Sequence, residues 1–316
     1  MCFVSDNEPG SAMHLSTSDF SSKFGAHALP AWREAVRRLG AVMPANRVGM
    51  WGASALRKLS LAGSGTGLSG PHDIEVAGQV RARLYPASNR CEKRAYCGVQ
   101  TWDAPERQAL SAALEESVSN PFVFLDVGAN VGLYSLFLHD AAVRLNRNVQ
   151  IVAIEPDPEN RARLEFNIAA SGGDMIVEKV GISGEAGKGV MAGGDVNRGS
   201  TAVHQDVDVE GALVELETLA SLVSRHKLQR IDAMKMDIEG YDEAALAAFF
   251  KQAPESTFPE LLIVEVGKVV DSPIVRLARQ YGYVEDGGTP MNAVLRRNPS
   301  LADANAASAT ARNGVA

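Results

Sequence analysis

The chain has 316 residues, of which 46% are apolar and 22% charged, and a net charge of −7. These values fit an ordinary globular protein with a large core, built as one substantial domain with additions or as two modest ones. They give the whole molecule no field that would attract nucleic acid or an anionic membrane.

No stretch approaches the ~18 continuous apolar residues of a spanning helix. The first 20 residues lack a basic segment feeding an apolar one, so the expected location is the cytoplasm. Cys2, Cys91 and Cys97 cannot all pair within one chain and form no zinc pattern, which predicts reduced, structural cysteines.

In chain order, residues 1–20 are Ser-rich and polar, a composition that favours disorder. "PAWREAVRRLG" predicts a short amphipathic helix opened by Pro30 and closed by Gly40, with Trp32, Val36 and Leu39 at i, i+4 and i+7. A second helix is expected through "ASALRKLSLAG". The run "GSGTGLSG" then marks a flexible boundary, so residues 1–70 form an N-terminal extension.

A hairpin is expected from about Asp73 to Leu84, turning at Ala77-Gly78. The basic run "RARLYPASNRCEKR", with Arg81, Arg83, Arg90, Lys93 and Arg94, reads as a solvated face or, alternatively, as a patch for an anionic substrate. "DAPERQALSAALEE" predicts a helix in which Asp103 and Glu106 form a capping box and Pro105 sits in the first turn. Residues 71–119 should therefore cap a catalytic domain of residues 120–298.

From there strands and helices alternate. "FVFLDV", "VQIVAIE", "MIVEKVGI", "IDAMKMDI" and "ELLIVEV" are strands. "GLYSLFLHDAAVRL", "PENRARLEFNIAA", "TLASLVSRHKL", "YDEAALAAFFKQ" and "SPIVRLARQYG" are helices, the last preceding "NAVLRR". Residues 183–217 are Gly-rich hairpin and loop. The alternation predicts an α/β fold with a doubly wound parallel sheet. Residues 299–316, rich in Ala, Asn and Ser, are an expected disordered tail.

Ligands of such sheets bind beyond the carboxyl ends of the strands, and the first strand-to-helix turn is the usual place. Here that turn reads Asp126-Val-Gly128-Ala-Asn130-Val-Gly132. The glycines permit a tight turn and close approach of a ligand, and the helix that follows offers N–H groups. The spacing is not GxGxxG, and a carboxylate stands before the first glycine. That acid would repel a pyrophosphate and attract a cationic amino-acid group, which favours S-adenosylmethionine.

Glu155, 29 residues after Asp126, ends the next strand, where an acid can accept both hydroxyls of a ribose. That feature fits NAD equally well. In "MKMDIEGYD", charged Lys235, Asp237 and Glu239 interrupt a strand that should be continuously apolar, and such breaks of the packing rule tend to mark function. An ion-paired loop exit is the plainer explanation. "LLIVEV" repeats the device with Glu265, which would share a cleft with Asp237 if the two strands are neighbours.

These segments, "FLDVGANVGLYS", "AIEPDPENRARLEFN" and above all "IDAMKMDIEGYDEAAL" followed by "ELLIVEV", resemble the FkbM-type methyltransferases, a branch of the class I S-adenosylmethionine-dependent enzymes. The resemblance spans about Asp103 to Arg297. It implies a Rossmann-like, seven-stranded, mostly parallel sheet whose last strand is antiparallel, and methyl transfer that is usually to oxygen. It also implies that Asp126, Gly128, Asn130 and Gly132 form the loop at the methionine end, that Glu155 holds the ribose, and that Gly181, Ile182 and Ser183 lie near the adenine. The chain departs from the family pattern at Gly184, Ala220 and Asp242.

Methyl transfer to a hydroxyl needs that group's proton removed or its oxygen polarised. Asp237 is the expected base, Lys235 would orient the substrate, and Glu239 and Glu265 are alternative bases. His204 is a rival base, and the same carboxylates could instead hold Mg2+, a reading that is not favoured. Trp102 and Tyr96 either line the substrate mouth or pack in the core, and His139 packs or is solvated within a helix. The expected partner is a hydroxyl acceptor, a small molecule or glycan, with no nucleic acid and no membrane. Two alternatives remain: an NAD-dependent oxidoreductase, whose GxGxxG is missing, and a cofactor-binding scaffold without activity.

Overall fold

Two helices, α1 (Ala31–Ala41) and α2 (Arg47–Leu61), open the described part of the chain. The structure, a computed structural model, describes residues 20–62, 70–100, 102–192, 202–204, 212–238, 240–267, 269, 271–298 and 300–301. The expected disordered start, the glycine-rich linker and the expected tail lie outside these residues except at their inner edges.

α1 forms where the apolar spacing predicts and runs one residue past Gly40, but its faces are inverted. Trp32 and Leu39 are exposed, whereas Arg33 and Arg37 are buried. Arg37 is bound by Glu34 and donates to the carbonyls of Tyr96 and Glu75. A guanidinium can be buried when its charge is paired and its N–H groups have acceptors.

The hairpin β1 (His72–Ala77) and β2 (Val80–Leu84) pairs as the alternation predicts and turns at Gly78-Gln79. Asp73 and Arg83 meet across it at 2.7 Å with both side chains fully buried, and Asp73 also accepts from the N–H groups of Gly25 and His27. The basic run is therefore not one continuous face or patch. Arg83 is consumed in the core, and Arg90, Lys93 and Arg94 belong to a short helix, α3 (Arg90–Ala95), capped by Asn89. Six residues are too few for helical periodicity to register in a sequence.

α4 (Ala104–Glu116) starts with Pro105 in its first turn, but the expected capping box does not form. Asp103 is left-handed at φ 42° and makes no cap hydrogen bond. A helix cap normally needs extended backbone, so this conformation frees the carboxylate, which accepts from the Tyr134 hydroxyl at 3.1 Å.

The alternating part follows: β3 (Phe122–Val127), α5 (Leu133–Leu145), β4 (Val149–Ile154), α6 (Pro158–Ser171) and β5 (Ile176–Glu178). "MIVEKVGI" is not one strand. Only Ile176–Glu178 joins the main sheet, and β6 (Gly181–Ile182) turns into a smaller one with β7 (Gly187–Ala192), β8 (Ala202–His204) and β9 (Ala212–Glu217), in the order β6-β9-β7-β8. The chain continues through α7 (Leu219–Arg225), β10 (Ala233–Met236), α8 (Asp242–Gln252), β11 (Leu261–Glu265), α9 (Pro273–Gln280), β12 (Tyr283–Gly288) and β13 (Asn292–Arg297).

The main sheet has seven strands in the order β5-β4-β3-β10-β11-β13-β12, with β13 alone running against the rest. β12 carries no sequence signal because only Tyr283 of it is buried, so the strand shows no apolar alternation. One face of the sheet is covered by the hairpin, α4, α5 and α6, through residues such as Ile74, Leu110, Leu133 and Leu164. The other is covered by α7, α8 and α9 through Leu222, Phe249 and Ile274. Strand order reverses between β3 and β10, and that is where an open α/β sheet leaves a crevice.

Candidate active site

The register of four parallel strands aligns their carboxyl ends. Ile154, Val127, Met236 and Val264 are successive partners from β4 to β11. One position further stand Glu155, Gly128, Asp237 and Glu265, and one position earlier Lys235 is paired with Asp126. Side chains alternate between faces along a strand. Phe124, Ala233 and Ile263 pack under α4 and α5, so Asp126, Lys235, Glu155, Asp237 and Glu265 share that face by parity. The expected neighbourhood of Asp237 and Glu265 is therefore present, since β10 and β11 are adjacent.

The loop after β3 is shaped by close approach. Gly128, at φ 76°, lies so near β10 that a Cβ would come within 2.0 Å of the Asp237 carbonyl oxygen. Gly132, at φ 85°, leaves no room beside Leu164, so each position requires glycine both for its dihedral and for space. Asp126 is buried, and its Oδ2 accepts from the backbone N–H and the hydroxyl of Ser135 in the first turn of α5. Its Oδ1 is buried with no hydrogen-bond partner among the described residues. Burial pushes the Asp126 carboxyl up from its ordinary value, while Lys235 and Ser135 oppose that rise.

Glu155 ties β4 to the same loop. Its two oxygens accept from the N–H groups of Asn130 at 2.7 Å and Asp157 at 2.9 Å. Burial is the main reason its carboxyl is pushed up to about 7, with the Asp157 charge adding and the two N–H bonds opposing. Asp157 caps α6 as expected, accepting from the N–H groups of Glu159 and Asn160. Asn130, left-handed at φ 54°, accepts at Oδ1 from the Asn89 side chain at 2.6 Å, so the start of α3 touches the loop directly.

Lys235 and Asp237 form the exit of β10. The Lys235 ammonium donates to Asp237 Oδ2 at 3.1 Å and lies 5.2 Å from the centre of the Tyr134 ring. The lysine side chain is 8% exposed and the aspartate 38%. Burial works against the lysine's charge, but Asp237 and Asp126 outweigh it and hold its pKa above the ordinary value. Lys235 therefore stays an ammonium and acts as a donor. The ion-paired strand exit weighed from the sequence is thus present, with one partner open to solvent. Tyr134 is clamped between Lys235, the Asp103 carboxylate and the edge of Trp102. Burial, and then Asp237, push the neighbouring Cys91 thiol up to about 12, so it is protonated.

A carboxylate-led glycine loop, an acid at the end of β4 and a charged exit from β10, all on one crevice of this seven-stranded sheet, coincide with a match of the FkbM methyltransferase domain to residues 126–284. The chain belongs to the FkbM methyltransferase family. No curated protein sequence matches it.

Solved structures of similar topology include a precorrin-6y C5,15-methyltransferase from Geobacter metallireducens, at 11% identity over 60% of this chain and 86% of that one, TM-score 0.36. A putative class I S-adenosylmethionine-dependent methyltransferase from Listeria monocytogenes has 10% identity over 88% and 71%, TM-score 0.37. CalS11, a TDP-rhamnose 3'-O-methyltransferase of calicheamicin biosynthesis, has 14% identity over 61% and 78%, TM-score 0.36.

Membership of the FkbM family implies S-adenosylmethionine as methyl donor. The residues fit it: the partnerless buried Oδ1 of Asp126 is an acceptor suited to an ammonium group, and Glu155 stands beside the same loop. Ile182 and Ser183 lie at the start of the small sheet, where Ile182 packs with Val127 and Ile154 and the Ser183 N–H donates to the Glu217 carbonyl.

The departures from the FkbM pattern have local reasons. A Cβ on Gly184 would stand 3.2 Å from the Ala244 carbonyl oxygen, so α8 crowds any side chain at that position. Thr218 caps α7 without help from Ala220. Asp242 braces the turn after β10 by accepting from the N–H groups of Ile238 and Gly240.

Glu239 lies outside the described residues, as does the side chain of His204 on β8. Trp102 and Tyr96 are core residues, and His139 is half-buried within α5. Among the described residues no group of three or more His, Cys, Asp or Glu is arranged to hold a metal. Tyr134, Ser135, Asn89 and Asp103 join the site without having been singled out for it from the sequence. Tyr134 and Ser135 had a signal available, one helical turn beyond the glycine loop. The other two had none.

Proposed function

We propose that the chain methylates a hydroxyl of a small molecule or glycan, with Asp237 as the general base. The observation that carries this reading is the Lys235–Asp237 pair at the switch point, a buried cation beside a carboxylate with more than a third of its side chain exposed. S-adenosylmethionine would supply a methyl group on a positively charged sulfur. Asp126 and the loop Gly128–Gly132 would hold its amino-acid end, Glu155 its ribose hydroxyls, and Ile182 and Ser183 the side of its adenine.

Asp237 takes the acceptor's proton, while Lys235, charged throughout, fixes the carboxylate and lowers the pKa of a hydroxyl that binds beside it. Much of the rate comes from alignment, since an in-line displacement gains most from holding its partners in place. Glu265, one strand over, and Glu239 are the substitutes if Asp237 is not the base.

The test is transfer of labelled methyl from S-adenosylmethionine to a panel of hydroxylated acceptors, for the wild type and Asp237→Asn, with cofactor binding measured by calorimetry. Transfer lost in the variant while binding persists supports the reading. Cofactor binding with no acceptor methylated would favour a scaffold.

A further inference from the structure

The helical pair α1–α2 turns apolar stripes outward. On α1, Trp32, Ala35 and Leu39 follow one another at helical spacing and are exposed, and Val42, just past the helix end, continues the stripe at 76% exposure. On α2, Val48, Trp51, Ala55 and Leu59 do the same, with Val48 at 77% and Trp51 at 78%. Exposed apolar residues are ordinary singly, but a stripe on each of two neighbouring helices marks an interaction surface. The inward positions of α1 are taken by Arg33 and Arg37, so the inversion is built into the packing.

The charge of this element is opposite to that of the molecule. Residues 31–61 contain six basic residues and one acid, Glu34, in a chain of net −7. Glu34 is bound to Arg37 and Arg38. Arg47 and Lys58 are exposed beside the stripes, and Arg38, also exposed, is shared between Glu34 and Glu75. Charge effects at a surface fall off within about 10 Å in salt, so this local excess decides what approaches, and the net charge does not.

We propose that α1–α2 is a docking platform for an anionic lipid surface. Exposed tryptophans with aliphatic neighbours suit the headgroup boundary, and flanking Arg and Lys suit anionic lipid. A partner protein or a second copy matches the apolar stripes but has no special claim on the cations. The platform adjoins the crevice: Arg37 donates to the Tyr96 carbonyl and Arg57 to the Lys93 carbonyl, and α3 contacts Asn130 through Asn89. Docking would hold the mouth of the site at the interface. The proposal does not depend on the methyl-transfer reading.

The test is co-sedimentation of the full chain with phosphatidylcholine vesicles, with and without phosphatidylglycerol, at low and high salt. Of the three tryptophans only Trp102 is buried in the core, so a blue shift of emission on binding reports Trp32 and Trp51. The expected result is binding to the anionic vesicles, weakened by salt and reduced about tenfold or more both by Trp32→Ala/Trp51→Ala and by Arg38→Gln/Arg47→Gln/Lys58→Gln. These positions are exposed, so an unchanged melting temperature and unchanged cofactor binding confirm that each variant is folded. Absence of binding to anionic vesicles, binding that the two variants leave intact, or a solution dimer dissolved by the tryptophan substitutions would each overturn it.

Discussion

At the ends of β3 and β4, Asp126 and Glu155 are buried and most of their bonds are to backbone N–H groups. One strand over, at the end of β10, Asp237 is 38% exposed and is held by a lysine side chain. All three are carboxylates on one face of one sheet, yet their surroundings differ in what they allow. An acid tied to backbone shapes a loop and waits for a ligand with its remaining lone pairs. An acid held by a buried ammonium at an open edge can exchange protons with a substrate. On the proposed function the crevice divides into a binding half and a reacting half, and substitutions should separate them.

The largest expected effect is in the reacting half. Asp237→Asn should lower kcat by about 10²–10⁴-fold, the usual contribution of a positioned base, and leave the cofactor dissociation constant unchanged. Calorimetry alongside steady-state rates checks both. A loss of cofactor binding in this variant would erase the division.

Next comes Glu155, through pH. Its folded value of about 7 lies above the ordinary 4.5, so the native state keeps a proton that the unfolded chain releases between those values. Free protein is therefore most stabilised by this group below pH ~4.5, loses that stability as pH rises to about 7, and levels off above, by about 3 kcal/mol in all. Urea unfolding of Glu155→Gln should show this slope removed. If Glu155 holds the ribose as proposed, its hydroxyls need the ionised carboxylate, so cofactor affinity of the wild type should rise through the same pH window and that of the variant should not.

Asp126→Asn follows, with cofactor affinity weaker by about 10–100-fold, the range for a charge-assisted hydrogen bond. The amide keeps an acceptor for Ser135, so the helix start survives and kcat at saturating cofactor should be nearly normal. A fall in kcat with affinity preserved would place Asp126 in the reacting half.

Much of this division was legible in the sequence because it rests on breaks in a strong pattern. An acid closing an apolar strand, two glycines after it, and Lys235 with Asp237 inside a strand buried on both faces all violate what packing wants. The doubly wound parallel sheet followed from the same alternation, but which strands are neighbours did not. What escaped lacked such contrast. β12 buries only one of its residues, α3 is too short for periodicity, and the split of "MIVEKVGI" depends on β9, which lies far along the chain. Asp103 and Glu106 had the spacing of a capping box, and only the left-handed backbone at Asp103 redirects its carboxylate to Tyr134. The burial of Arg33 and Arg37 beneath exposed tryptophans reverses hydrophobic ranking, and only the tertiary acceptors at Tyr96, Glu75 and Ala62 explain it.

Tyr134 gives the smallest and most discriminating test, because it joins the capping segment 71–119 to the reacting half. Its ring lies beneath the Lys235 ammonium and its hydroxyl donates to Asp103. Burial and the neighbouring Glu106 raise the Asp103 pKa, and the Tyr134 bond lowers it, so Tyr134→Phe should raise it further and leave Asp103 nearer to neutral. Phenylalanine keeps the ring, whereas Tyr134→Leu removes a cation–π contact of ~0.5–2 kcal/mol and frees the lysine. If the ring matters, kcat should fall about two- to thirtyfold in the leucine variant and little in the phenylalanine variant. Equal losses would instead assign the effect to the hydroxyl and Asp103, and the capping segment would then belong to the reacting half of the site.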